Sequence, residues 1–128
     1  MEIIVKIVDE NQNENPETNW KEITAKWFND SCVAWTKDPE YNLIFLSHNQ
    51  NYFNEKLKHV GHVFLNDVYD AIGLPKTKLG QVIGWIYEPG KRIDFGLYDQ
   101  QNIDFINVLS RDALLKFNVD GPIIDKVY

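Results

Sequence analysis

Residues 62–97 (HVFLNDVYDAIGLPKTKLGQVIGWIYEPGKRIDFGL) constrain the fold more than any other part of the chain. Gly73 marks the end of a predicted helix, because glycine accepts the left-handed backbone that follows a last helical turn, and a proline two residues later forbids continuation. Two stretches that alternate in polarity, 81–87 and 92–97, follow and are separated by a Pro-Gly turn. The sequence therefore predicts a helix and then a β-hairpin. The helix is indicated by apolar residues at i, i+3, i+4 and i+7, namely Leu65, Val68, Tyr69 and Ile72.

The predicted hairpin has one apolar and one mixed face. If the two-residue loop Pro89-Gly90 sets the register, one apolar row of the hairpin faces the core. A type II turn matches the twist of a hairpin poorly, so a longer loop with a shifted register stays open. The opposed pairs of that row are Ile86–Ile93, Gly84–Phe95 and Val82–Leu97. Aromatic and arginine side chains dominate the energy of protein interfaces, so the other face is a candidate binding surface. The alternative is that a helix covers this face. Together with the basic connector before the hairpin, the candidate binding residues are Lys76, Lys78, Trp85, Tyr87, Arg92 and Asp94.

The rest of the chain predicts further helices and strands around this hairpin. Asp38 and the proline after it suit the start of a long helix. The polar residues 47–51 in the middle of that helix lower its helix propensity, so a break there stays open. The other predicted elements are a strand at 2–8, a mobile polar loop at 9–18, a helix from Asn19 to about residue 30, a long helix from Asp38 to Gly61, a short helix within 98–109, a strand at 113–119 and an extended segment at 123–128.

The order of these elements predicts the fold class. Helices and strands are mixed rather than strictly alternating, which favours an α+β fold over a parallel α/β sheet. The length of 128 residues fits one domain. We therefore expect a single compact domain over residues 1–128, with a mainly antiparallel sheet, a central β-hairpin at about 81–97 and three to four helices packed on it.

Charge and cysteine content narrow the function classes. The net charge is −6, and residues 1–55 hold ten of the 19 acidic side chains, which disfavours direct nucleic-acid binding. The single cysteine, Cys32, excludes an internal disulfide and suits a reducing cytoplasm, where we expect it to be a small buried residue. No apolar run is long enough to span a membrane, and the N-terminus lacks the pattern of a signal peptide.

Catalytic and metal-binding signatures are not found in the sequence. There is no glycine-rich phosphate loop, no nucleophile elbow and no HExxH or paired-cysteine motif. A metal site from His59, His62 and Asp67 is conceivable, but helix-end roles explain the histidines more simply. A further hypothesis is an enzyme, such as a small hydrolase, that uses His62, Asn66 and Asp67. We expect no enzyme activity, no cofactor and no metal.

Several segments resemble a family of uncharacterised proteins encoded by bacteriophages and Gram-positive bacteria. The segments are GHVFLNDVYDAIGLPKTKLGQVIGWIYEPG, then IDFGLYD and FNVDGPI. They resemble the family pattern FLN-x-VYD-x-LG-x-P-x-TK-x-GQVVGW-x-Y, which is followed by a short insertion and a DFG strand. The resemblance covers about residues 38–128, and the insertion before the DFG strand is shorter here, which implies a tighter hairpin. The triplet at 94–96 does not imply a kinase, because the other kinase motifs and the length are absent. The resemblance implies a phage or mobile-element setting and no mechanism.

These observations favour a small acidic cytoplasmic module that binds a protein partner in a bacterial host. A phage-encoded modulator or inhibitor of a host or defence protein fits the small size and the Trp85, Tyr87 and Arg92 face. A DNA mimic would need the acidic residues on one contiguous surface. The alternative is an oligomeric structural or assembly component of a phage or mobile element.

Overall fold

The computed structural model describes residues 18–127 of the protein. The strand expected at 2–8 lies outside the described residues, as does most of the loop expected at 9–18. The helices are α1 (Trp20–Ile23), α2 (Pro39–Val60), α3 (Leu65–Ala71), α4 (Ile103–Ile106) and α5 (Ile124–Val127), with one-turn 3₁₀ helices at Leu79–Gln81 and Gln100–Asn102. The strands are β1 (Lys26–Phe28), β2 (His62–Phe64), β3 (Ile83–Ile86), β4 (Ala113–Leu115) and β5 (Gly121–Pro122).

Two small antiparallel sheets organise these elements. One sheet pairs β1 with β4, and the other has the strand order β2-β3-β5. The predicted α+β class and the antiparallel pairing are confirmed.

Helix α2 begins and ends where the sequence predicts. The Asp38 carboxylate accepts hydrogen bonds from the backbone amides of Glu40 and Tyr41, and Gly61 ends the helix in the left-handed region with φ 98°. The helix is continuous through the polar middle. There the side chain of Asn49 donates to the carbonyl of Phe45 one turn earlier, so it does not compete with the helical backbone bonds.

The predicted hairpin at 81–97 is wrong, because β3 pairs with other strands. β3 lies between β2 and β5, with Trp85 opposite Val63 and Gly84 opposite Phe64. A Cβ at Gly84 would overlap the carbonyl oxygen of Val63, so glycine is what lets β2 approach. β2 is three residues long and ends directly before α3, and the local sequence pattern does not reveal it.

The two faces of β3 are the reverse of the prediction. Ile83 and Trp85 are 0% exposed and belong to the core, whereas Val82 and Ile86 are only partly buried. Both faces of this strand are apolar, so alternation alone does not identify the inner one. The pairing with β2 and β5 determines it.

The segment 92–97 is not a strand, yet its alternation is correct. Ile93, Phe95 and Leu97 are at most 1% exposed. Side-chain amides of α2 bind its backbone in place of a neighbouring strand. Asn54 accepts from the amide of Ile93 at 2.7 Å and donates to its carbonyl at 3.0 Å, and Gln50 accepts from the amide of Phe95 at 2.8 Å.

The other edge of this segment is closed by residues after β4. The amide of Lys116 donates to the carbonyl of Phe95 at 3.0 Å, and the amide of Asn118 donates to the carbonyl of Asp94 at 3.3 Å. Residues 92–97 are therefore bonded on both sides although they belong to no sheet.

The predictions also differ from the structure at both ends of the described region. Asn19 caps α1 through the amide of Glu22, as expected, but the helix ends at Ile23 instead of near residue 30. The continuation forms β1, which pairs with a strand almost ninety residues away. At the other end, α5 replaces the extended segment that was expected at 123–128.

The core joins the inner faces of both sheets to α2 and α3. Cys32 is buried at 7% exposure, as expected. Tyr69 is 1% exposed, and burial raises the pKa of its hydroxyl to about 12. That hydroxyl donates to the carbonyl of Thr24 at 3.3 Å, so it stays protonated and bonded.

Candidate functional site

The predicted binding surface centred on Trp85 is not formed. Trp85 is 0% exposed, and its indole N–H donates to the Asn118 side-chain oxygen at 2.9 Å inside the protein. Asn118 in turn donates to the carbonyl of Arg92 at 3.0 Å. The indole and the exposed arginine are thus linked through an asparagine, and Trp85 cannot contact a partner.

The other predicted binding residues do not gather around that position. Tyr87 is 38% exposed, and the Asp94 carboxylate accepts from the amide of Gly96 at 2.7 Å, where it braces a turn. Lys76 and Lys78 are exposed. Lys76 lines a shallow cavity of about 410 Å³ beside Asn66 and Asp67, which Tyr87 and Arg92 do not line.

Two of the three residues of the enzyme hypothesis, His62 and Asn66, have structural roles. The buried Asn66 side chain donates to the Thr77 carbonyl at 2.8 Å and accepts from the Thr77 amide at 2.9 Å, so it holds a loop. The His62 ring packs edge-on against Phe64. Within residues 18–127, no group of three or more His, Cys, Asp or Glu side chains could hold a metal ion.

A different tryptophan lines the larger open cavity that we describe as the Trp35 cleft. Its volume is about 520 Å³. The cleft brings together the loop between β1 and α2, the first turn of α2 and the segment between α4 and β4. It is lined by Asn29, Asp30, Trp35, Pro39, Leu109, Arg111 and Asp112.

The Trp35 ring is fixed by hydrogen bonds across the cleft. Its indole N–H is 3.0 Å from the carbonyl of Arg111 and 3.0 Å from the Asp112 carboxylate. The guanidinium Nε of Arg111 donates to the carbonyl of Lys37 at 2.9 Å. The two loops are therefore joined from both sides, and the ring loses little further freedom if a ligand packs on it.

A buried asparagine supports this junction from below. Asn42 of α2 is 0% exposed, and its oxygen accepts from the Thr36 amide at 3.0 Å. Its Nδ2 donates to the carbonyls of Thr36, at 2.9 Å, and Arg111, at 3.1 Å. The floor of the cleft is thus anchored to the longest helix of the domain.

A strained residue directly precedes Leu109, which lines the cleft. After α4, the amides of Val108 and Leu109 donate to the carbonyls of Phe105 and Asp104, which is the Schellman pattern. This pattern requires a left-handed residue, and Val108 takes it with φ 63°, the one positive φ outside glycine among the residues described. A β-branched residue there costs about 1–2 kcal/mol.

The strained turn directs an apolar side chain into solvent. Leu109 is 76% exposed at the rim of the Trp35 cleft. The adjacent Val108 is 39% exposed, so strain at this position does not serve core packing. Strained backbone residues cluster at functional sites, so this turn makes the cleft a candidate site.

The lining of the cleft combines the side chains that protein interfaces use. Trp35, Pro39 and Leu109 supply apolar surface, and Arg111 supplies a planar cation that can clamp a carboxylate or a backbone carbonyl. The exposed carboxylates of Asp30 and Asp112 lie at the same rim. The arrangement can hold a short peptide segment by one apolar side chain and polar groups beside it.

Sequence reasoning missed this site because its parts are remote from each other along the chain. Trp35 lies in the short apolar run SCVAWT, which predicts no element, and its bonding partner Arg111 is 76 residues away. The sequence signal that could have found the site is the Val108-Leu109 pair, which follows a short predicted helix at the place where a glycine usually ends a helix.

The comparisons with known proteins give a family and no activity. The chain belongs to a family of unknown function, DUF6353, whose profile matches residues 1–127. No curated protein and no solved structure matches the chain. Between residues 18 and 127, no helix is long and apolar enough to cross a membrane.

Proposed function

We propose that this member of the DUF6353 family is a protein-binding module that holds a short extended segment of a partner protein in the Trp35 cleft. The observation that carries the proposal is the strained Val108 turn, which keeps Leu109 exposed beside a hydrogen-bonded tryptophan. The function class is the one that the sequence favours, and the residues that perform it are different.

The chemistry of the cleft indicates the kind of segment it would hold. An aliphatic or aromatic side chain would pack between Trp35 and Leu109, where it gains contact area at small entropic cost. A carboxylate or carbonyl of the same segment would bind the Arg111 guanidinium. Basic side chains would suit Asp30 and Asp112, in keeping with the net charge of −6.

The setting of this function rests on the resemblance to phage and Gram-positive proteins. We expect the protein to act in the cytoplasm of a bacterial host, as a modulator or inhibitor of a host or defence protein. The lone buried thiol of Cys32 supports a reducing compartment.

A peptide-display selection on the immobilised protein tests the proposal without a known partner. We expect selected peptides to share one large apolar residue. Leu109→Ala and Arg111→Ala should each weaken their binding about tenfold or more, which is about 1.4 kcal/mol. Fluorescence titration of the same peptides would measure the change.

The chain offers a matched control for this experiment. Trp27 is 55% exposed on β1 and does not line the cleft, so Trp27→Ala should leave peptide binding unchanged. Peptides that bind Leu109→Ala as tightly as the wild-type protein, or that are lost with Trp27→Ala instead, would place recognition elsewhere and refute the proposal.

A further inference from the structure

We propose that a second copy of this chain docks on the outer face of α2, with the two α2 helices antiparallel and His48 of each copy near a twofold axis. This surface is separate from the Trp35 cleft and from the function proposed for it. The outer face comprises side chains spaced by three or four residues, which lie on one side of a helix, namely Tyr41, Ile44, His48, Tyr52, Glu55 and His59.

The outer face exposes large apolar side chains although the helix already has a complete inner face. The inner face supplies Leu46, Phe53 and Leu57 to the core at 0–2% exposure. In contrast, Tyr41 is 49%, Ile44 57% and Tyr52 53% exposed. Three large exposed side chains thus lie along one stripe around His48, which is more informative than isolated exposed residues.

The exposed rings are held against rings of the core. Tyr41 stacks on Phe45 with ring centroids 6.2 Å apart, and Phe45 stacks on Phe28 at 6.1 Å. Tyr52 meets Phe53 edge-on at 5.0 Å. These contacts restrict the tyrosine rotamers before any partner binds, so association costs less conformational entropy.

The charges along α2 select a second copy, in antiparallel orientation, as the occupant. The acidic residues Asp38 and Glu40 stand at the start of the helix, and Lys56 and Lys58 stand near its end. About a centre at His48, antiparallel pairing places Asp38 beside Lys56 on one flank of the seam and Glu40 beside Lys58 on the other. Parallel pairing would set like charges against each other, so it is disfavoured.

The same register matches the apolar residues. Ile44 of one copy meets Tyr52 of the other, and Tyr41 meets Glu55, whose carboxylate can accept from the tyrosine hydroxyl. Each contact occurs twice, as a twofold interface requires. A helix of 22 residues is about 33 Å long, and one helix pair buries less area than a standard interface, so we expect a weak dimer with Kd on the order of 100 µM.

Sedimentation equilibrium at low salt, over protein concentrations from about 10 µM to 1 mM, tests this inference around the expected Kd. The expected result is a mass that rises from 15.0 kDa toward twice that value. Ile44→Asp should keep the protein monomeric. The matched control is Val33→Asp, since Val33 is 92% exposed in a loop off this face and should leave the dimer intact.

A charge exchange tests the orientation. Glu40→Lys and Lys58→Glu should each weaken the dimer at least threefold, and the double variant should recover most of the loss, because the two positions meet on the same flank of the seam. Leu109→Ala should not affect association, which separates this result from failure of the Trp35 cleft. A monomer up to 1 mM, a dimer that survives Ile44→Asp, or a double variant weaker than both single ones would overturn the inference.

Discussion

The bond between Asn54 and the backbone of Ile93 gives the sharpest test of how this fold is held together. Asn54 is 4% exposed and satisfies both the amide and the carbonyl of Ile93, at 2.7 and 3.0 Å. Asn54→Ala removes both partners at once. Two buried polar groups of the backbone then lack hydrogen bonds, because α2 fills the space where a strand could have bonded them.

The expected cost follows from these two groups. Each unsatisfied buried group costs about 1–3 kcal/mol, and alanine returns roughly 0.5 kcal/mol through its higher helix propensity. The net loss is about 3 kcal/mol of the free energy of unfolding. The unfolding entropy of a chain of 128 residues is about 0.27 kcal/mol/K near the midpoint, so Tm should fall by roughly 10 °C.

Urea denaturation followed by far-UV circular dichroism measures this loss. Asn51→Ala is the matched control, because Asn51 is an exposed asparagine of the same helix and its replacement should be neutral or slightly stabilising. If Asn54→Ala lowers the free energy of unfolding by less than about 1 kcal/mol relative to that control, the side-chain amide does not replace a strand partner in the way described here.

Three further perturbations test other features of the structure. Val108→Gly should raise the free energy of unfolding by about 1 kcal/mol, because glycine relieves the left-handed strain. It should also weaken peptide binding at the Trp35 cleft, because Leu109 is held less firmly. A destabilised variant would contradict the strain at Val108. Gly84→Ala should lower the free energy of unfolding by about 2 kcal/mol or more, as at other overpacked sites, because the added methyl group meets the carbonyl of Val63. An unchanged Tm would contradict the tight contact between β2 and β3. Because burial raises the pKa of Tyr69 to about 12, the free energy of unfolding should be unaffected below pH 10 and should fall by roughly 2–3 kcal/mol as pH rises toward 12. Tyr69→Phe should therefore show a flatter pH dependence in that range, and equal slopes for the two proteins would refute this reasoning.

The elements that the sequence predicts well are those specified by local chemistry. Asp38 and Gly61 define both ends of α2, and Gly73 adopts the left-handed conformation, with φ 84°, that the sequence predicts after α3. Side-chain capping and glycine conformation depend on a few neighbouring residues, so they can be read from a short window.

Pairing partners are the part that the sequence does not reveal. The alternation at 92–97 correctly predicts that Ile93 and Phe95 are buried, but it carries no information on what bonds the backbone. The bonding groups are the side chains of Gln50 and Asn54, about forty residues earlier on a helix. For the same reason, the burial of Trp85 follows from its neighbours β2 and β5 rather than from its own strand.

The burial of the predicted Trp85 surface has a related reason. The prediction relied on an aromatic residue and an arginine that are near each other in sequence, Trp85 and Arg92. The structure instead joins Trp35 to Arg111 through hydrogen bonds between two loops. Proximity in sequence is a poor guide to which loops meet, whereas the buried Asn42 that joins them has no distinguishing pattern at all.

The amide-bonded segment at 92–97 also affects how the protein behaves in concentrated solution. An extended segment with free amides is a template on which strands of other molecules can add, and that is how many proteins begin to aggregate. Gln50 and Asn54 occupy the amides of Phe95 and Ile93, and residues 116–118 occupy the opposite edge. A helix thereby blocks intermolecular β-sheet growth along this apolar stretch, although no paired strand among the described residues covers that edge.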